Sequence, residues 1–267
     1  MKAILRSGFL ALAIMALAVP ANAGPFEDGL AAVERGDYST ALRHWRSLAE
    51  KGDARGQVLL GLMYRDGQGV AQDDAEAARW LRMAAEQGLA EAQYPLGFIY
   101  ANGQGVSQDF AEAAKWYRNA AEQGHAGAQH NLGVLYNDGQ GVPEDDAEAA
   151  KWFRKAAEQG IAEAQFNFGN MTADGRGVPE DFAEAVKWYR KAAEQGYAEA
   201  QNGLGGMYAD GAGVPQNNVL ASMWFNLSAA QGDEIARKNR ELVASDMTPD
   251  QIAEAQRLAR EWMETHQ

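Results

Sequence analysis

Apolar and small residues come in two bursts between Leu89 and Gly124, each with the three-to-four spacing of a helix face. The first burst lies within Ala90–Tyr100 and stops at Asn102-Gly103-Gln104-Gly105-Val106, where two glycines supply a helix stop and a tight turn. The second opens at Asp109, a good N-cap, and places Ala113, Ala114, Trp116, Tyr117, Ala120 and Ala121 on one wide apolar face. Lys115, Arg118, Asn119 and Glu122 fall on the opposite side, and Gly124 ends the run. The pattern predicts two antiparallel helices joined by a glycine turn.

The same pattern recurs along the chain. Ala-Ala-Glu-Gln-Gly appears at Ala84–Gly88, Ala120–Gly124, Ala156–Gly160 and Ala192–Gly196, each copy 36 residues after the last. Degenerate copies stand one period upstream, at Leu48–Gly52, and one period downstream, at Ser228–Gly232. A fixed period of this length marks stacked hairpins, none able to bury its apolar face without a neighbour. Five units result, at 53–88, 89–124, 125–160, 161–196 and 197–232. Residues 24–52 form a divergent opening hairpin that contains Gly29 and Gly36-Asp37-Tyr38. Residues 233–267 leave the repeat. There, Asp233–Ser245 continues helical, Thr248 and Pro249 start a last helix over Asp250–Glu264, and the two cap the stack.

Composition narrows the class. With 46% hydrophobic and 23% charged residues, the 267-residue chain is not disordered, and a repeat stack escapes the size limit of a single core. Residues 1–23 read as a signal peptide: Lys2 and Arg6, an apolar stretch from Gly8 to Val19, then Ala21-Asn22-Ala23 with cleavage before Gly24. The expected product is periplasmic or secreted and soluble, because this stretch is too short to span a bilayer and no later segment is apolar enough. Removing it takes away two bases and no acid, so the formal net charge of −13 becomes −15. That balance argues against nucleic acid and anionic lipid as partners. The absence of cysteine rules out disulfides, thiolate metal sites and a lipid-modified cysteine.

No constellation for catalysis emerges. His125 and His130 are five apart, whereas a helical metal pair prefers three or four. His44 takes the position filled in later units by Trp80, Trp116, Trp152, Trp188 and Trp224. Those tryptophans keep the packing period and read as core, the ring of Trp116 filling the space between Gly97 and the nearby alanines. The Gly-x-Gly turns follow helices, where a dinucleotide fingerprint must follow a strand. Acidic clusters such as Glu144-Asp145-Asp146 suit helix starts and lack the spacing of a calcium loop. Neither a cofactor nor a metal is implied.

These signatures resemble the Sel-one-like repeat family, relatives of the tetratricopeptide repeats. The matching residues are Ala92, Leu96, Gly97 and Tyr100 in the first helix, then Gly103, Gly105 and Val106 in the turn. Ala113, Trp116, Tyr117, Ala120, Ala121 and Gly124 complete the second. The resemblance implies an all-α fold, a right-handed α-α superhelix of helix-turn-helix hairpins that binds other proteins, with the first helices lining a concave groove.

Comparing the units locates the candidate groove. Gly61, Gly97, Gly133, Gly169 and Gly205 do not vary, and so mark shared packing. Val58/Tyr94/His130/Phe166/Asn202 and Leu62/Phe98/Val134/Asn170/Gly206 vary freely, as do Arg65/Ala101/Asn137/Ala173/Ala209. Tyr94, Phe98, His130, Val134, Phe166 and Asn170 are therefore the candidate protein-binding residues, rich in the aromatic anchors typical of hot spots. Thr172 stands where other units have tyrosine, Pro95 interrupts a first helix, and Gly203, Gly205 and Gly206 weaken another, so a softer region is expected over 166–210.

The expected function is a monomeric, non-enzymatic adaptor in the bacterial periplasm that takes a peptide or protein segment in its groove, acting in signalling or envelope assembly. A hydrolase or binder acting on cell wall or β-lactams stays open as an alternative, as does polysaccharide or peptidoglycan association. The first is associated with cysteine-rich relatives, and this chain lacks their disulfides.

Overall fold

The computed structural model describes residues 24–266, so the expected signal peptide lies outside the described residues. Within them are fourteen α-helices and no strand. The chain divides into two compact units, one up to Glu144 and one from Asp145. The first holds α1 (Pro25–Glu34), α2 (Tyr38–Glu50), α3 (Ala54–Asp66), α4 (Asp74–Glu86), α5 (Ala90–Asn102), α6 (Phe110–Glu122) and α7 (Ala126–Asp138). The second holds α8 (Asp146–Glu158), α9 (Ala162–Asp174), α10 (Phe182–Glu194), α11 (Ala198–Asp210), α12 (Asn218–Ala230), α13 (Glu234–Ala244) and α14 (Pro249–Thr265). Within each unit successive helices up to α13 pack as antiparallel neighbours, the arrangement of an all-α solenoid of hairpins.

Local chemistry sets the helix ends. Asp109 accepts the backbone N–H groups of Ala111 and Glu112 at 2.9 and 3.0 Å, satisfying two donors left over at the start of α6. Asp73, Asp145, Asp181 and Asn217 cap the equivalent helices. The turn that follows α5 has a double demand on Gly105. Its φ is +67°, and a Cβ built there would lie 2.2 Å from the carbonyl carbon of Asp74. The turn is thus pressed onto the first residue of α4, and Gly141, Gly177 and Gly213 make the same approach to Phe110, Asp146 and Phe182.

Packing inside a hairpin depends on close approach. A Cβ on Gly97 would come within 2.7 Å of the Tyr117 ring. The residue seated on this glycine is therefore Tyr117, not the neighbouring Trp116 expected from the sequence. Leu81, Tyr189 and Phe225 occupy the same place over Gly61, Gly169 and Gly205. Trp116 is buried beside them, but its Nε1 donates to Glu112 at 3.0 Å while the Lys115 amine sits 5.1 Å from its ring centroid. One turn of α6 thereby covers the indole with a carboxylate and a cation. Trp45 lies over Gly29, and His44, in the tryptophan position, is half-buried.

Glutamines tie the two helices of each hairpin together and fasten a hairpin to the one before it. Gln123 Nε2 donates to Gln93 Oε1 at 2.8 Å, and Gln93 Nε2 donates to the Ala85 carbonyl at 3.2 Å. Gln87 with Gln57, Gln195 with Gln165 and Gln231 with Gln201 repeat the bond. Buried amides are thus satisfied without disturbing the helices. Arginine hydrogen bonds to tyrosine hydroxyls add a second set of ties, Arg46 to Tyr64, Arg118 to Tyr136 and Arg190 to Tyr208. With Thr172 in the tyrosine position, its hydroxyl turns to the Phe168 carbonyl and Arg154 pairs with Glu158 instead.

Pro95 does not break α5, which keeps the 13 residues of its counterparts. The missing N–H deletes one bond, to the carbonyl a turn earlier, and the rest of the ladder holds. At the C-terminal end both α13 and α14 pack on α12. Thr248 caps α14, accepting the Gln251 N–H at 3.3 Å while the Gln251 side chain accepts the Thr248 N–H at 2.8 Å.

Candidate protein-binding groove

The six candidate residues fall into different surroundings. In the first unit Tyr94 is half-buried, its ring centroid 4.3 Å from His125 and 5.9 Å from Tyr117. His125 is the N-cap of α7, not an interior helix residue, and its Nδ1 accepts the Ala128 N–H at 3.1 Å. This bond assigns the ring proton to Nε2. Burial beneath Tyr94 holds the imidazole pKa below its ordinary value. His130 is buried within α7. No cluster of metal-ligating side chains occurs among the described residues.

Phe98 and Val134 differ from these. Both are half-buried and face an open cleft of about 320 Å³ between α5 and α7. Ala101 and Leu135 extend its apolar wall, and Tyr117 of α6 lies behind. Asn131, hydrogen-bonded to the Tyr117 hydroxyl, and Gln108 and Gln140 from the turns supply its polar groups. Burial raises the Tyr117 hydroxyl far above the ordinary phenol range, so it stays neutral. No charged side chain lines the cleft. On a chain of formal net charge −13, such a neutral apolar recess bordered by amides is distinctive.

In the second unit Phe166 packs half-buried between the rings of Tyr189 and Tyr197, at 5.8 and 5.6 Å. Asn170 accepts the Tyr189 hydroxyl proton at 2.7 Å. The structure thus gives Tyr94 and Phe166 the same role, an aromatic plate beneath the next hairpin, and leaves Phe98 and Val134 beside open space. Asn131 escaped the comparison of units, though its repeat position reads Leu59/Pro95/Asn131/Asn167/Gly203 and varies as freely as the chosen ones.

Stacked helical hairpins with a recess between first helices define a repeat protein of the tetratricopeptide kind. Its family follows from the sequence profile of the Sel1 repeat, which matches residues 13–53, 54–89, 90–125, 126–161, 162–197 and 198–233. The chain belongs to the Sel1 repeat family. It is similar to a Sel1 repeat protein from Oxalobacter formigenes, with 34% identity over 92% of this chain and 98% of that one, and a TM-score of 0.76. It also resembles c5321, a protective antigen of uropathogenic Escherichia coli strains with the same fold. That match has 31% identity, a TM-score of 0.62, and covers 91% of this chain and 61% of the antigen. Among curated proteins none matches. Sel1 repeat proteins generally serve as protein–protein interaction scaffolds and are typically non-enzymatic.

Proposed function

We propose that the protein is an exported adaptor that holds a peptide or protein segment in the cleft between α5 and α7. The observation that carries this reading is the uncharged recess formed by Phe98, Val134 and their amide neighbours. An apolar side chain of a partner fits its wall, while Asn131, Gln108 and Gln140 offer donors and acceptors to a partner backbone. Aromatic anchors in such recesses carry a large share of binding energy. Export is supported by Lys2, Arg6, the apolar stretch that follows and Ala21-Asn22-Ala23. No helix among the described residues is long and apolar enough to cross a membrane. A role in signalling or envelope assembly follows from whichever partner is bound.

The test is crosslinking in intact cells from a photoreactive residue at position 134, followed by mass spectrometry. One dominant partner is expected, and Phe98→Ala should weaken its capture about tenfold or more. Equal capture from position 134 and from the far side of α6, or indifference to Phe98→Ala in a folded protein, refutes the groove. Amino-terminal sequencing of the mature protein should begin at Gly24; retention of residues 1–23 in the cytoplasm refutes export.

A further inference from the structure

A second recess, of about 360 Å³, lies in the other unit where α13 and α14 flank the end of α12. Its chemistry is opposite to that of the first. Arg237 and Arg240 reach it from α13 and Arg260 from α14, while Ala229, Ala259 and Met263 form an apolar floor. No acid lines it. Three guanidiniums converging on an acidic protein require a reason, and their neighbours do not provide one. Arg237 pairs with Glu234, but Arg240 donates only to Asn226 Oδ1, at 3.2 Å. Arg260 has no polar partner among the described residues. The contrast with Arg257 on the same helix is direct, since Arg257 takes both Glu254 and Glu261. The end of α12 contributes about half a negative charge, well short of balancing the recess.

We infer that this recess binds a carboxylate side chain, carried on a protein segment with an apolar neighbour. The planar forks of Arg240 and Arg260 match a carboxylate, and their poor hydration lowers the cost of contact. The floor of Ala229, Ala259 and Met263 leaves room for an apolar side chain that a bare anion lacks. The inference rests on the adaptor reading only in taking the carrier to be a protein.

The test uses the mature chain, isotopically labelled, titrated with the capped peptide acetyl-Ala-Leu-Glu-Leu-Ala-amide and followed through its amide resonances. Saturable shifts are expected over residues 226–240 and 256–263. The glutamine version of the peptide, and the double variant Arg240→Gln/Arg260→Gln, should each bind about tenfold more weakly. Arg260→Gln alone, at an exposed position, serves if the double variant fails to fold, and should still weaken binding. Phe98→Ala should leave these shifts unchanged, so failure of the first groove and failure of this site are told apart. Equal binding of the two peptides, unchanged binding by the folded arginine variants, or inorganic phosphate binding as tightly as the glutamate peptide each overturns the assignment.

Discussion

His125 combines two roles, capping α7 through Nδ1 and stacking on Tyr94, and both need the neutral ring. Its folded pKa is lowered by burial, so the unfolded chain takes up the proton first as pH falls. Stability is then full above the ordinary histidine value of 6.5 and declines as pH drops below it. Urea midpoints measured from pH 7.5 to 5 should fall, and His125→Asn, which keeps a capping side chain, should flatten that fall. Asp37 behaves in a related way at the start of α2. Hydrogen bonds from Thr40 and Ser39 hold its carboxyl at about 2, so its contribution is full above the ordinary value of 3.8 and is lost as pH falls from there to about 2. Gly105→Ala should cost about 1–2 kcal/mol for the left-handed backbone alone, with the overlap on Asp74 adding to it. Denaturant titration measures that loss. The glycine's turn role was legible in the Gly-x-Gly spacing; its contact with the previous hairpin was not, because 31 residues separate the partners in sequence.

Helices α2 to α12 each span 13 residues, and the apolar period and caps made most of them readable. What periodicity missed is how the elements fasten. Gln93 and Gln123 sit in the recurrent motifs Ala-Glu-Ala-Gln and Ala-Ala-Glu-Gln-Gly, where recurrence alone signals packing without saying which atoms meet. Gln123→Ala should cost about 1–3 kcal/mol, because it strips a donor from the amide oxygen of buried Gln93. Trp116→Ala should cost about 3–5 kcal/mol, the range for truncating a buried aromatic. Equilibrium unfolding that shows Gln123→Ala as harmless would mean water replaces the lost bond. The exchange of Trp116 for Tyr117 over Gly97 has a plain cause: both residues lie on the apolar face, and only the crossing of α5 with α6 decides which meets the glycine.

At the scale of the whole chain, stability adds up from hairpins and their neighbour contacts, since nothing is cross-linked. Amide exchange should be faster over α9 to α11, where Thr172 loses the arginine–tyrosine tie and α11 carries Gly203, Gly205 and Gly206. Protection as strong there as in α3 to α6 would contradict this. Of the six candidate residues, Phe98 and Val134 line the cleft, and both were singled out by comparing units, because their positions vary from one unit to the next. That test cannot separate open space from contact with the next hairpin. It therefore grouped Phe98 with Tyr94 and Phe166, which the structure gives to their neighbours' rings. The arginine recess had no sequence signal, because α13 and α14 lie outside the repeat and their charges look like an ordinary solvated face. The helices, the turns, the 36-residue unit and its family were legible in the amino-acid order, because each depends on local spacing repeated many times over. Tertiary structure alone decided which side chains close the seams and which are left facing a recess, because that depends on how helices distant in sequence approach one another.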